Sequence, residues 1–167
     1  MRLNPIILTV VAIAGLGVST ACAAGSAEVL FPNEARFSDA GASAGDRAAN
    51  LAQLANHLKR LAARHLPEGQ TLTVEVLDVD LAGASRPWRA TGTEVRVLRG
   101  RADWPRIELR YTLSGGGNTA RTGKESIADL NYLRHISAYG ASEPLKHEKR
   151  MLDDWFRVRF VEGRAAD

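Results

Sequence analysis

The sequence predicts an α+β fold: a mostly antiparallel sheet of four to five strands with two helices packed on one face, in the order β-α-β-β-β-β-α. Three observations predict it. An apolar stripe of helical period runs between Ser43 and Pro67. Period-two alternation with hairpin-type turns dominates residues 71–127, after that single crossover. A second helical pattern then closes the chain from Pro144 to Phe160.

Residues 1–24 stand apart from this domain. Arg2 supplies one positive charge, an apolar run extends from Ile6 to Val18, and the small residues Ala21-Cys22-Ala23-Ala24 follow with an A-x-A site ending at Ala23. That is the layout of a secretory signal peptide; the run is too short and too broken by glycine to span a bilayer well, which disfavours a retained anchor. The expected mature part, residues 25–167, is one α/β sandwich domain, long enough to bury a core without staples. Cys22 is the chain's one cysteine, so cleavage after Ala23 or Ala24 leaves no thiol for a disulfide, a zinc site or a nucleophile. Cys22 also follows the small residues Ser19-Thr20-Ala21, which makes it a candidate lipid-attachment site, although Ser19 stands where lipoproteins usually carry leucine. The expected location is therefore the periplasm, with an outer-membrane lipoprotein as the alternative.

Within the domain, Glu28–Phe31 is a short strand stopped by Pro32. Ahead of the first helix stands "GASAGD", residues 41–46, which has the G-x-S-x-G pattern of a hydrolase nucleophile turn. Such a serine needs a buried strand directly before it, and residues 33–40 are polar and loop-like, so Ser43 reads as a helix cap with Asp46 three residues on. In the helix, Leu51, Leu54, Leu58, Leu61 and Ala62 recur at three and four, with Asn50, Gln53, His57, Arg60 and Arg64 assigned to the polar side. Pro67 ends it.

The next strand alternates through Leu72, Val74 and Val76, then changes phase at Leu77-Asp78, which a bulge or a strand running out from under its helix cover would account for. Residues 94–99 and 106–113 are further strands, and residues 114–118, with three consecutive glycines, turn the chain back into a hairpin partner. No strand-to-helix context makes that triple glycine a phosphate loop. A short turn fits Asp129–Arg134. In the final helix Ser142 is the expected cap with Pro144 in the first turn. Leu145, Leu152, Trp155 and Phe156 share a side, and Lys149/Asp153 and Arg150/Asp154 pair at i,i+4.

The formal net charge of +3 is unevenly spread: Arg86, Arg89, Arg96, Arg99, Arg101, Arg106 and Arg110 stand against Glu94, Asp103 and Glu108. This stripe either attracts an anionic polymer or lipid surface or is a solvated strand face. Trp88 and Trp104, each flanked by arginine and proline, fit ligand or partner docking, or cover for the sheet, with Trp104 shaping the strand entry at Pro105. Asp78 and Asp80 form a D-x-D that would share a hard cation or pair with arginines of a neighbouring strand. His57 and His65 lie about 12 Å apart along the helix, too far for one metal, and no histidine spacing signals a metal or cofactor site.

The blocks "VEVLDVDLAG", "VRVLRGRADWPRIELRYTL", "ADLNYLR" and "EPLKHEKRMLDDWFR" resemble the signature blocks of the domain of unknown function 3016 family, small secreted proteins of Gram-negative bacteria. The resemblance spans about Glu28 to Phe160 and implies location and a single fold, but carries no activity, catalytic residue or cofactor. The element order is also similar to small periplasmic lipoproteins that assist envelope assembly, an analogy of architecture alone. The resulting expectation is a non-catalytic module that binds an envelope protein or an anionic envelope component, not nucleic acid, through Trp88, Arg89, Arg99, Arg101, Trp104 and Arg106. The alternative is a small metal-dependent hydrolase using Asp78 and Asp80. No acid, base and nucleophile set assembles at sensible spacing, which favours the binding module.

Overall fold

The computed structural model describes residues 24–88, 94–117, 119–135, 139–140 and 142–163. Along them run β1 (Ser26–Leu30), a 3-10 turn (Glu34–Arg36), α1 (Ala44–His65), β2 (Gln70–Asp80), β3 (Ala84–Pro87), β4 (Glu94–Val97), β5 (Arg106–Gly115), β6 (Arg121–Ala128) and α2 (Lys146–Phe156). A π-helical turn (Arg157–Val161) extends α2.

The start of α1 decides how residues 41–46 work. Ser43 is extended, its Oγ accepts the Asp46 amide at 3.1 Å, and the hydroxyl donates to Asp46 Oδ2 at 2.8 Å. One orphan helix amide is thereby satisfied and an acidic side chain is held in the first turn. Gly41 has φ 144°, and a Cβ there would come within 2.7 Å of the Arg47 nitrogen, so this glycine serves a close approach to the helix. The predicted stripe is buried, from Leu51 to Ala62. His57 departs from expectation: assigned to the polar side, it is only 5% exposed, because α2 lies across it.

The main sheet has the order β1-β2-β5-β6, with β1 and β2 parallel and the β2–β5 and β5–β6 pairings antiparallel. The parallel pair follows from α1 acting as a crossover. The phase change in β2 is a bulge, with the register shifting between Val76 and Asp78. It keeps Val79 on the core face while aiming Asp78 and Asp80 outward. Leu72, Val74, Val76, Val79, Ile107, Leu109, Tyr111 and Leu113 form one buried face, packed by Leu54, Leu58 and Leu61 of α1 and by Met151, Leu152, Trp155 and Phe156 of α2. Both helices cover that face, as expected. The other face is polar, with cross-strand pairs Thr73–Thr112, Glu75–Arg110 and Asp80–Arg106.

Two expectations need correction. The strand predicted at residues 94–99 does not join this sheet; it ends at Val97 and pairs only with β3, as a separate two-stranded ribbon. Gly83, at φ 80°, turns the chain away after β2 and its amide bonds the Asp103 carbonyl at 2.8 Å. β3 escapes prediction because "ASRP" contains proline and no apolar alternation. At the other end, Ser142 does not cap α2. The cap position is Leu145, in the left-handed region (φ 55°, ψ 33°) with no side-chain cap. Its side chain packs against the core and its carbonyl accepts the Lys149 amide at 2.8 Å, which offsets the backbone strain. Among the described residues no helix is long and apolar enough to cross a membrane.

Candidate functional site

The arginines of residues 86–110 fall into two groups. Arg96 is consumed by the fold: its guanidinium grips Asp39 with Nη1–Oδ2 and Nη2–Oδ1 both at 2.9 Å, and Nη1 also reaches the carbonyls of Leu81, Ala82 and Gly83. Arg106 faces Asp78 and Asp80 at 3.8 and 3.7 Å, and Arg110 pairs with Glu75 at 2.9 Å. Arg86, Arg99 and Arg101 are exposed, and among the described residues no carboxylate lies within ion-pair distance of their side chains. The Arg99 and Arg101 amides donate to Asp103 at 2.6 and 2.9 Å. Slight burial pushes the Asp103 carboxyl up, but these amides outweigh it and hold its pKa below the usual value.

Apolar side chains accompany the free arginines. Trp88, at the end of β3, is 54% exposed, and Val95, Leu98, Leu130 and Leu133 are exposed as well. Leu98 and Leu133 belong to one surface: Leu98 lies over Gly83 and Leu133 lies over Gly100, whose amide donates to the Tyr132 hydroxyl at 3.2 Å. The turn predicted at Asp129–Arg134 supplies this support, with Tyr132 buried under it. Trp104 is half-buried beside the fully buried Pro105 at the entry of β5, so it belongs to the strand entry more than to the exposed surface. Arg89 and Cys22 lie outside the described residues.

Asp78 and Asp80 point the same way, as their spacing implied, with the Arg106 guanidinium against both. Asp78 also accepts the Ser38 amide and hydroxyl, both at 2.7 Å. Burial raises the Asp80 pKa, against the pull of Arg106 and with Asp39 and Asp78 adding to the rise. Among the described residues no group of three or more histidine, cysteine or acidic side chains is placed to hold a metal.

A second site was missed from sequence. Between α1 and α2 lies a cleft of about 370 Å³. Its back wall is a hydrogen-bonded chain: His57 Nε2 meets Asp153 Oδ1 at 2.7 Å, and the Tyr139 hydroxyl donates to Asp153 Oδ2 at 2.6 Å. The partners assign the imidazole, with Nε2–H donating to the carboxylate and Nδ1 facing Arg60 Nη2 at 3.4 Å. Arg60, Arg64 and Arg157 line the cleft over Leu61 and Phe156. The predicted Lys149/Asp153 pair is absent: Asp153 turns to His57, and Lys149 pairs with Glu143. Only the helical spacing of His57, Arg60 and Arg64 signalled this wall; nothing local announces that Asp153 faces it.

Burial pushes the Asp153 carboxyl up, but the hydrogen bonds from His57 and Tyr139 outweigh it, and its pKa lies below the ordinary 3.8. A depressed carboxyl stabilises the fold fully above its unfolded pKa, and that contribution disappears as pH falls through the lower folded value. Asp153→Asn is therefore expected to flatten the fall in melting temperature below about pH 4. A wild-type slope persisting in the variant, measured by thermal unfolding across pH, would assign acid lability elsewhere.

The family model described as "Protein of unknown function (DUF3016)" matches residues 25–158. Neither a curated protein nor a solved structure matches the chain.

Proposed function

Since the chain belongs to the DUF3016 family of proteins of unknown function, we propose that it is a non-catalytic binding module of the bacterial cell envelope. In this reading residues 1–24 direct export to the periplasm, and the β3–β4 ribbon with its adjoining turn docks on an anionic lipid surface. The observation that carries the reading is that the ribbon and its adjoining turn carry both exposed Arg86, Arg99 and Arg101, with no carboxylate partner among the described residues, and exposed Trp88, Leu98 and Leu133. Guanidinium groups would meet phosphate while the apolar side chains enter the acyl boundary.

The test is sedimentation of residues 25–167 with vesicles of phosphatidylethanolamine and phosphatidylglycerol, against neutral phosphatidylcholine vesicles. Each arginine near an anionic bilayer contributes about 1 kcal/mol, so Arg99→Gln/Arg101→Gln is expected to weaken binding roughly thirtyfold with the fold unchanged. Trp88→Ala should weaken it further, and binding should fade with salt. Equal affinity for neutral vesicles, or a variant that binds like wild type, would sink the proposal; capture of an envelope protein by the same residues would replace the lipid with a protein partner.

A further inference from the structure

The cleft between α1 and α2 shares no residue with the ribbon surface, so it needs its own account. We propose that it binds a small organic oxyanion with an apolar body, the anion held by Arg60 and Arg64 and the body lying against the His65 ring and Val161.

The acidic groups lining the cleft are already engaged. Both oxygens of Asp153 are occupied by His57 and Tyr139. Asp154 pairs with Arg150 at 3.8 Å and with Arg157 at 3.4 Å, and Arg157 is shared with Glu162. Arg60 spends one long contact on His57 Nδ1, and Arg64 has no carboxylate within ion-pair distance among the described residues. Two exposed guanidinium groups, four residues apart on one helix face, thus present most of their donors to the cleft. The place of Arg64 in the last turn of α1 also offsets the helix dipole. That explains the charge but not a cavity beside it.

The remaining surroundings select the ligand. Phe156 and Leu61 are buried beneath the cleft, and the exposed Val161 and His65 ring, the latter 6.1 Å from that of Phe156, give it an apolar floor. A volume of about 370 Å³ is enough for a single-ring or short-chain compound. Inorganic phosphate would leave the floor uncovered, and a neutral compound would leave the arginines unanswered. His57 acts as a positioning residue: clamped by Asp153 on one side, it turns its other nitrogen to Arg60. Among the described residues no serine, threonine or cysteine lines the cleft, and its arginines supply a seat for an anion.

The experiment is a titration of residues 25–167 with phenyl phosphate, inorganic phosphate and benzyl alcohol, followed by the ring resonances of His57 and Tyr139 and by calorimetry. Phenyl phosphate should give saturable shifts at these rings. Inorganic phosphate should bind at least tenfold more weakly, and benzyl alcohol should not saturate. Arg60→Gln/Arg64→Gln should weaken phenyl phosphate binding at least tenfold, since charged hydrogen bonds are lost, while Arg99→Gln/Arg101→Gln leaves it intact, which separates this site from the ribbon. Arg64→Gln alone, on an exposed side chain, serves if the double variant does not fold. Dihexanoyl phosphatidic acid below its micelle concentration competes if the natural anion is a lipid headgroup and fails to compete if it is a soluble metabolite; phenyl phosphate binds in both cases. Absence of saturable shifts, or wild-type affinity in the arginine variants, overturns the proposal.

Discussion

Phe156→Ala is expected to lower the folding free energy by about 3–5 kcal/mol, the range for removing a buried aromatic ring. Phe156 has no exposed surface. Its ring centroid lies 4.9 Å from that of Phe160, 6.1 Å from His65 and 6.2 Å from Trp155, so it joins the end of α1 to the end of α2 and the following turn. Tyr111 of β5 continues the cluster, with ring centroids 6.0 Å from Trp155 and 5.3 Å from Phe160. Its position depends on Gly123 of the neighbouring strand, where a Cβ would come within 2.6 Å of the tyrosine ring. Neighbours fixed on so many sides cannot collapse into the space a phenyl ring leaves, and the cavity term is paid nearly in full. Urea unfolding measures the loss, and Phe156→Leu should retain most of the stability. A cost below about 1.5 kcal/mol for the alanine variant would show that the helix ends repack freely.

Arg96→Leu is the second large effect, expected at about 2 kcal/mol. The Arg96–Asp39 pair is bidentate, and its side chains are 27% and 25% exposed, so the 3–5 kcal/mol typical of breaking a fully buried pair is discounted for solvent. What makes the site costly is the number of groups left behind. Asp39 loses both its charge-assisted bonds, and the carbonyls of Leu81, Ala82 and Gly83 lose the guanidinium. Asp39 is held in place independently: its amide bonds the Val79 carbonyl at 2.8 Å and its own carbonyl accepts the Leu81 amide at 3.0 Å. The arginine therefore latches the β3–β4 ribbon, a separate two-stranded sheet, to a segment bonded to β2. Hydrogen exchange should show faster exchange in Ala84–Val97 than in β5, and affinity for anionic vesicles should fall although none of the residues proposed to meet the vesicle has changed. Uniform loss of protection across the sheet would mean that the pair supports the whole fold and not the ribbon.

Much of the architecture was legible because its causes are local. Ser43 caps α1 since serine followed by Asp46 satisfies a helix amide wherever it stands before an apolar stripe. The phase change at Leu77-Asp78 was visible because a strand's faces alternate strictly, and of the two causes it allowed the folded chain has the bulge. The final helix showed its apolar side through Leu152, Trp155 and Phe156, and the open face of the sheet through its charged alternation. Misreadings came where a second segment decides the outcome. "ASRP" pairs as β3 only because β4 lies opposite, Leu145 enters α2 left-handed only because the core receives its side chain, and Lys149 prefers Glu143 to its helix neighbour Asp153.

The sequence by itself thus determined the α+β class, the limits of α1, the inward face of each long strand and the candidate arginines and tryptophan. The tertiary structure alone decided which arginines find a carboxylate among the described residues and where a cleft opens. Arg96, Arg106 and Arg110 resemble Arg99 and Arg101 in the chain, and only the position of Asp39, Asp78, Asp80 and Glu75 distinguishes them. His57 and Asp153 are 96 residues apart, and their meeting depends on two helices crossing the same sheet face. Hydrophobic period is written residue by residue, whereas the neutralisation of a charge depends on the distance to a partner that only the folded chain brings near.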